Sequence, residues 1–398
     1  MFTYSLYLLN KKMQFLSKTV LKKFINKEIT SVGFDESYAK FAQNKHIFLS
    51  IKIFDVSPQQ ANIIKQTALS SGCDCAVHKG VINCSIERSD CLLSGTLSQL
   101  ETIAKKLYSQ QFSLQNLAQN ILEHIQQEKE YKKRSKIMGI LNITPNSFSD
   151  GGEFLEIDKA MNHAIDMIEH GAEIIDIGAQ STKPNADLVD VVYEIEHVAP
   201  IVTALKTAYP HIELSVDTMS VACAKSALES GADIINDVSF LGNDEFVSLC
   251  KKFDKKLVIM HAKGNSKTMD SLTSYENVVD EVFKEIAHKT ARAKSLGLNE
   301  DNIIIDVGFG FAKNVEQNFT LLKRINEFKS MGYPVLAGVS RKRFLQDVIN
   351  TREPKDADIQ TTLATSWLIQ QEIDYIRVHN VELAMQALKF NDRLYTFR

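Results

Sequence analysis

Eight short β-branched runs recur through the last two thirds of the chain, at 137–141, 174–177, 212–216, 234–238, 257–260, 303–307, 335–339 and 375–378, with segments of helical length between them. No other feature restricts the fold as strongly. The first intervening segment sets Met161, Ala164, Ile165 and Ile168 at helical spacing, the apolar stripe of an amphipathic helix. Four segments end in glycine just before the next strand, in His170-Gly171, Ser230-Gly231, Leu296-Gly297 and Met331-Gly332. Glycine suits the left-handed residue that closes a helix. Eight strands alternating with helices over roughly 260 residues match the size of a (β/α)8 barrel. A doubly wound open sheet uses the same alternation. The count of eight, and the absence of Gly-x-Gly-x-x-Gly after a strand, favour the barrel.

The chain has 398 residues, so the barrel leaves an N-terminal segment over. That segment reads as a smaller α+β domain. It has a strand-like run at 47–54, a helical pattern through Ala61, Ile64 and Ala68, a strand-like pair around 76–85, and a helical tail at 114–125. The tail runs into Gln126-Gln127-Glu128-Lys129-Glu130-Tyr131-Lys132-Lys133-Arg134, a solvated helix end or linker. The expected division is an accessory α+β domain at 1–134 and a (β/α)8 TIM barrel at 135–398. The first carries no chemical constellation, and an accessory or dimer-supporting part is its default role.

Composition is that of a soluble globular protein, 44% apolar and 24% charged. A formal net charge of −3 argues against a general nucleic-acid binder. The apolar stretch from Tyr4 to Leu9 is too short to span a membrane, and charged residues follow rather than precede it, the wrong order for a signal peptide. The six cysteines are too sparse for a disulfide scaffold, and Cys73, Cys75, His78 and Cys84 fit no standard zinc spacing. A cytoplasmic protein with reduced thiols is expected.

Active sites of such barrels sit at the C-terminal ends of the strands. The first strand is followed by Asn142 and the loop Thr144-Pro145-Asn146-Ser147-Phe148-Ser149-Asp150-Gly151-Gly152, the second by Ser181-Thr182-Lys183-Pro184. Asp217 ends the third and Asn236-Asp237 the fourth; Met260-His261-Ala262-Lys263-Gly264 follow from the fifth. Asp306 and Gly308-Phe309-Gly310-Phe311 end the sixth, Gly338-Val339-Ser340-Arg341-Lys342 the seventh, and Arg377, His379 and Asn380 the eighth. Arg377, His379 and Asn142 offer a guanidinium, an imidazole and an amide, a set suited to a pyrophosphate with a divalent cation. Asp217, Asn236 and Asp306 suit the paired N–H donors of an amino-pyrimidine edge, and Lys342 a carbonyl between the two groups. Nothing in the inventory suggests a covalent nucleophile. Taken singly, Asp217 reads as a helix cap or ion-pair partner, His379 as a packed rim histidine, Lys342 as part of a charged run, and Gly308 and Gly310 as residues that let a loop turn.

The runs Ile137-Met138-Gly139-Ile140-Leu141-Asn142-Ile143-Thr144-Pro145-Asn146-Ser147-Phe148-Ser149-Asp150-Gly151-Gly152 and Ile174-Ile175-Asp176-Ile177-Gly178-Ala179-Gln180-Ser181-Thr182-Lys183-Pro184 resemble the first two signatures of the dihydropteroate synthases. Ser215-Val216-Asp217-Thr218, Ile235-Asn236-Asp237, Met260-His261-Ala262-Lys263-Gly264, Ala337-Gly338-Val339-Ser340-Arg341-Lys342 and Ile376-Arg377-Val378-His379 follow in family order. The resemblance implies a transferase of folate biosynthesis that joins a dihydropterin-methyl diphosphate to 4-aminobenzoate by dissociative displacement, with no nucleic acid or membrane as partner. It implies a pterin site of Asp217, Asn236, Met260, Asp306, Phe311, Gly338 and Lys342, with Lys342, Asp217, Asp306 and Asp150 as catalytic residues. Diphosphate would lie on Asn142, Arg377 and His379, with Mg²⁺ at Asn142. Phe148, Thr182, Lys183, Pro184 and Ser340 would shape the aminobenzoate site, where sulfonamides compete. A homodimer is implied as well. The family usually has aspartate at Asn146, Gly-Glu at Ala179-Gln180 and arginine at Lys183, and often proline at Val307 and aspartate at Asn380. Asn146 removes a charge from the first loop, and Lys183 keeps a charge without the planar fork of arginine. Two other readings share the barrel: a methyltetrahydrofolate–corrinoid methyltransferase, which should lack the first-loop Ser-Phe-Ser-Asp-Gly-Gly and the Ser-Arg-Lys of the seventh strand, and a non-catalytic pterin-binding paralogue.

Overall fold

A computed structural model describes residues 17–129, 134–143, 153–179, 189–239, 242–264 and 267–396. The chain divides into two compact units, Met1–Glu130 and Tyr131–Arg398.

The first unit is built on β1 (Phe48–Val56), β2 (Asp74–Val77) and β3 (Ser89–Thr96), an antiparallel sheet in the order β1-β3-β2. Helices Pro58–Leu69, Leu97–Tyr108 and Leu114–Lys129 supply much of its core, in which Ile64, Leu93, Leu97, Leu100, Ile103 and Ile121 are fully buried. Two of these helices begin at capping boxes, Ser57 with Gln60 and Thr96 with Gln99, each satisfying two orphan backbone N–H groups. The strand pair expected around 76–85 is not formed. β2 ends at Val77, and the next residues turn through the 3-10 segment Lys79–Val81. His78 Nδ1 accepts from the Gly80 N–H at 3.1 Å, and Cys84 is left-handed at φ 52°, so the chain reverses instead of extending. The partner strand is β3, further on.

The second unit is the expected barrel. Its strands are β4 (Lys136–Asn142), β5 (Ile174–Gly178), β6 (Glu213–Thr218), β7 (Ile234–Asp237), β8 (Lys256–Met260), β9 (Ile303–Asp306), β10 (Val335–Ala337) and β11 (Tyr375–Val378). Each pairs in parallel with the next, and β11 closes on β4 with Tyr375 opposite Lys136. The four helix-closing glycines are left-handed, with φ between 83° and 108°. At the lower end, Lys136 and Lys256 share Glu213 while Lys206 and Lys255 share Asp233, so each carboxylate meets two ammonium groups.

The barrel interior is layered. Met138, Ile174, Ile234, Val258, Ile304 and Leu336, with Tyr375, form one buried cluster inside the strands. Side chains alternate across a strand. Two residues further along the same inner face stand Ile140, Asp176, Asn236, Met260, Asp306, Gly338 and Arg377, with Asp217 two beyond the inward Ser215. The pleat alone therefore lifts the polar set to one level, above an apolar plug.

Candidate active site

Arg377 is the hub of this level. Its Nε donates to Asp176 Oδ2 at 2.5 Å and its Nη2 to Asp217 Oδ2 at 2.7 Å. Gly338, just after the neighbouring strand, packs beside it: a Cβ there would lie 3.8 Å from Arg377 Cδ, an ordinary contact. Asn236 Nδ2 reaches Asp176 Oδ2 at 3.4 Å. Asp176 was not among the candidates, because it lies inside the second apolar run rather than after it. The signal was there: a carboxylate in an otherwise apolar strand has to be paired.

The carboxylates are dry. Asp176 is fully buried, and Asp217 and Asp306 are 5% and 6% exposed. Burial pushes Asp217 up to about 7 against the pull of Arg377, and it also raises Asp306 against the pull of Lys342. Burial brings Lys342 down to about 8, opposed by Asp306. Asp176 Oδ1 and Asp217 Oδ1 are buried without a hydrogen-bond partner. The upper level thus brings two unpaired acceptor oxygens and an ammonium group together in a water-poor setting.

The loop after β9 forms one wall. Gly308 N donates to Asp306 Oδ1 at 2.7 Å, Lys342 Nζ donates to Phe309 O, and Lys342 Nζ lies 4.5 Å from the centre of the Phe311 ring. Met260 is buried where β8 pairs with β9, opposite Asp306. At the rim, Ser340 Oγ and His379 Nδ1 are 2.9 Å apart, so residues expected on different substrates touch each other. Asn142 ends β4 exposed. Asn380 donates to Asp358 Oδ2 at 3.3 Å, and Asp358 also holds Arg341. A second carboxylate there would repel Asp358; the amide does not. Val307 is fully buried. Phe148, Asp150, Thr182, Lys183 and Pro184, together with Asn146 and Gln180, lie outside the described residues.

Carboxylates, an amide and a lysine at the C-terminal end of a closed (β/α)8 barrel define a pterin-binding enzyme, and residues 138–379 match the pterin binding enzyme family. The dihydropteroate synthase of Synechocystis sp. is 39% identical over 267 residues, which cover 67% of this chain and 92% of that protein. The probable bifunctional folylpolyglutamate synthase/dihydropteroate synthase of Haloferax volcanii is 34% identical over 348 residues, 82% of this chain and 41% of that protein, so the match extends beyond the barrel. A crystal structure of the Clostridium difficile dihydropteroate synthase in the presence of pteroic acid superposes with a TM-score of 0.62 at 37% identity, covering 67% of this chain and 98% of that one. The chain belongs to the dihydropteroate synthase family, transferases of folate biosynthesis.

Proposed function

We propose that the barrel mouth joins a dihydropterin-methyl diphosphate to 4-aminobenzoate, releasing diphosphate, with a specific division of labour. Asp217, Asn236, Asp306 and Lys342 hold the pterin, walled by Met260, Phe311 and Gly338. The observation that carries this reading is the orphaned oxygen of Asp217, Oδ1, next to the equally unpaired Asp176 Oδ1. An unpaired buried acceptor costs about 1–3 kcal/mol, and the amino-pyrimidine edge supplies the N–H donors that relieve it. Lys342 donates to the pterin carbonyl. Arg377 links the pterin carboxylates to the diphosphate, which His379 and Asn142 also contact. Phe148, Asp150, Thr182, Lys183 and Pro184, with Ser340, take the aminobenzoate side, where sulfonamides compete.

Among the described residues, no three carboxylate, imidazole or thiol groups converge as a metal cage. Mg²⁺ needs none, since it is commonly held by one or two protein oxygens plus substrate phosphates. The exposed Asn142 amide fits that role, and the ion would neutralise charge on the leaving diphosphate. The chain's own residues then face two tasks: cationic Arg377 and Lys342 favour the departing anion, and buried Asp217 and Asp306 favour the transient pterin-methylene cation. No strong base is required.

The helix Asp358–Gln370 exposes Ile359, Leu363 and Trp367 at successive turns, and the next helix, Val381–Thr396, exposes Phe390 and Leu394. An apolar face of this kind fits a second copy of the chain, so the enzyme is read as a homodimer. The six free cysteines fit a reduced, cytoplasmic setting. The N-terminal unit is accessory to the barrel.

Incubating the purified full chain with both substrates and Mg²⁺ should yield dihydropteroate and diphosphate in equal amounts. Folded protein that binds pterin without forming product would favour the non-catalytic reading. Methyl transfer from methyltetrahydrofolate to a corrinoid would favour the other.

A further inference from the structure

Behind the β9 loop, on the side of the surrounding helices, lies a buried lysine with no part in the reaction described above. Lys313 is 8% exposed, and its Nζ stands 2.9 Å from Gly308 O, 2.9 Å from Phe311 O and 3.0 Å from His261 Nδ1. His261 is fully buried, and burial brings it down to about 4, so its imidazole is neutral. Its Nδ1 therefore accepts from Lys313, and its Nε2 faces Glu285 Oε2 at 3.2 Å. Glu285, on the helix Val278–Ser295, is partly exposed.

The loop held in this way does not keep its shape unaided. Gly308, Gly310 and Ala312 are all left-handed, at φ 67°, 77° and 50°. Lys313 grips the carbonyls of Gly308 and Phe311 from the helix side, while Lys342 grips Phe309 O from the mouth. Gly308, whose carbonyl Lys313 fixes, is also the residue whose N–H orients Asp306. The Phe311 carbonyl belongs to the residue whose ring lies against Lys342.

We infer that Lys313 is a positioning residue for pterin recognition: with His261 and Glu285 behind it, it fixes the β9 loop and thereby sets Asp306 and Phe311. The inference rests on the pterin reading of the mouth. A lysine that only held the fold together would, when replaced, lower thermal stability and leave the affinity of the remaining folded enzyme intact.

The test uses the full-length enzyme with Lys313→Met, which keeps most of the unbranched arm and removes its donors. The expected result is a KM and a calorimetric Kd for the dihydropterin-methyl diphosphate raised about tenfold, ~1.4 kcal/mol, with the KM for 4-aminobenzoate unchanged. Folded Lys313→Met with unchanged pterin affinity, or with equal losses for both substrates, overturns the proposal. If Lys313→Met gives no folded protein, Glu285→Ala leaves the lysine in place and removes the carboxylate facing His261. It should raise the same KM several-fold, and no change there overturns the proposal. Wild-type enzyme that neither binds pterin nor turns over would instead sink the functional reading.

Discussion

Burial brings both Asp217 and Lys342 towards neutrality, to about 7 and about 8. Below the first value Asp217 gains a proton and becomes a poorer acceptor; above the second Lys342 loses its charge. The kcat/KM for the pterin substrate should therefore be bell-shaped, with limbs near these two values. A pH profile of Asp217→Asn should lack the acid limb, and Lys342→Arg should carry the alkaline limb out of range. Limbs that stay in place in both variants would assign them to the substrate or to other groups. Both residues were legible in the sequence because each follows an apolar run. Asp176 left a weaker signal, a carboxylate inside an apolar run, and only the pleat brings it level with Asn236. The Ser340–His379 contact was hidden, because it joins residues 39 apart on neighbouring strand ends.

The β9 loop shows what an element imposes on its residues. A Cβ on Gly308 would lie 1.9 Å from the His261 carbonyl oxygen, where backbone cannot yield cheaply, and φ is 67°. Gly308→Ala should destabilise the barrel by about 1–3 kcal/mol and weaken pterin binding in the protein that remains folded. Gly33, at φ 77° but with open space around it, is the control: its alanine variant should pay only the backbone strain and leave the activity alone. Urea melts and pterin calorimetry on both variants decide this, and equal behaviour would remove the steric argument. Glycine was informative at this scale throughout, since the four helix-closing glycines marked real helix ends. β3 was missed because its alternation follows a cysteine-containing turn that itself looks strand-like. The helix Leu97–Tyr108 had a clear signal, Thr96-x-x-Gln99 followed by Leu100, Ile103 and Leu107.

For the whole molecule, eight β-branched runs were enough to give the barrel, because each strand of a parallel closed sheet is buried on both faces and reads as an unbroken apolar run. The N-terminal unit was only partly legible, since its half-buried strands alternate and its short elements leave weaker periodicity. Assembly is tested by Leu363→Lys: a charge at the centre of the exposed helix face should shift a dimer towards monomer by light scattering without unfolding it. The independence of the barrel is a separate matter. Among the described residues, its core clusters begin at Ile137, the core of the first unit ends at Ile125, and no residue belongs to both. A barrel-sized stretch also covers nearly the whole of the Synechocystis relative. Residues 131–398 expressed alone should therefore fold, with a near-UV circular dichroism spectrum of fixed aromatic packing and a single cooperative melt. They should bind the dihydropterin-methyl diphosphate as the full chain does, because the groups of the mouth assigned to the pterin all lie beyond residue 131. A truncated protein that is insoluble, or compact without near-UV signal, would mean that the first unit completes the barrel's stability and is no accessory. A well-folded truncation that has lost pterin affinity would mean that the first unit acts on the mouth itself.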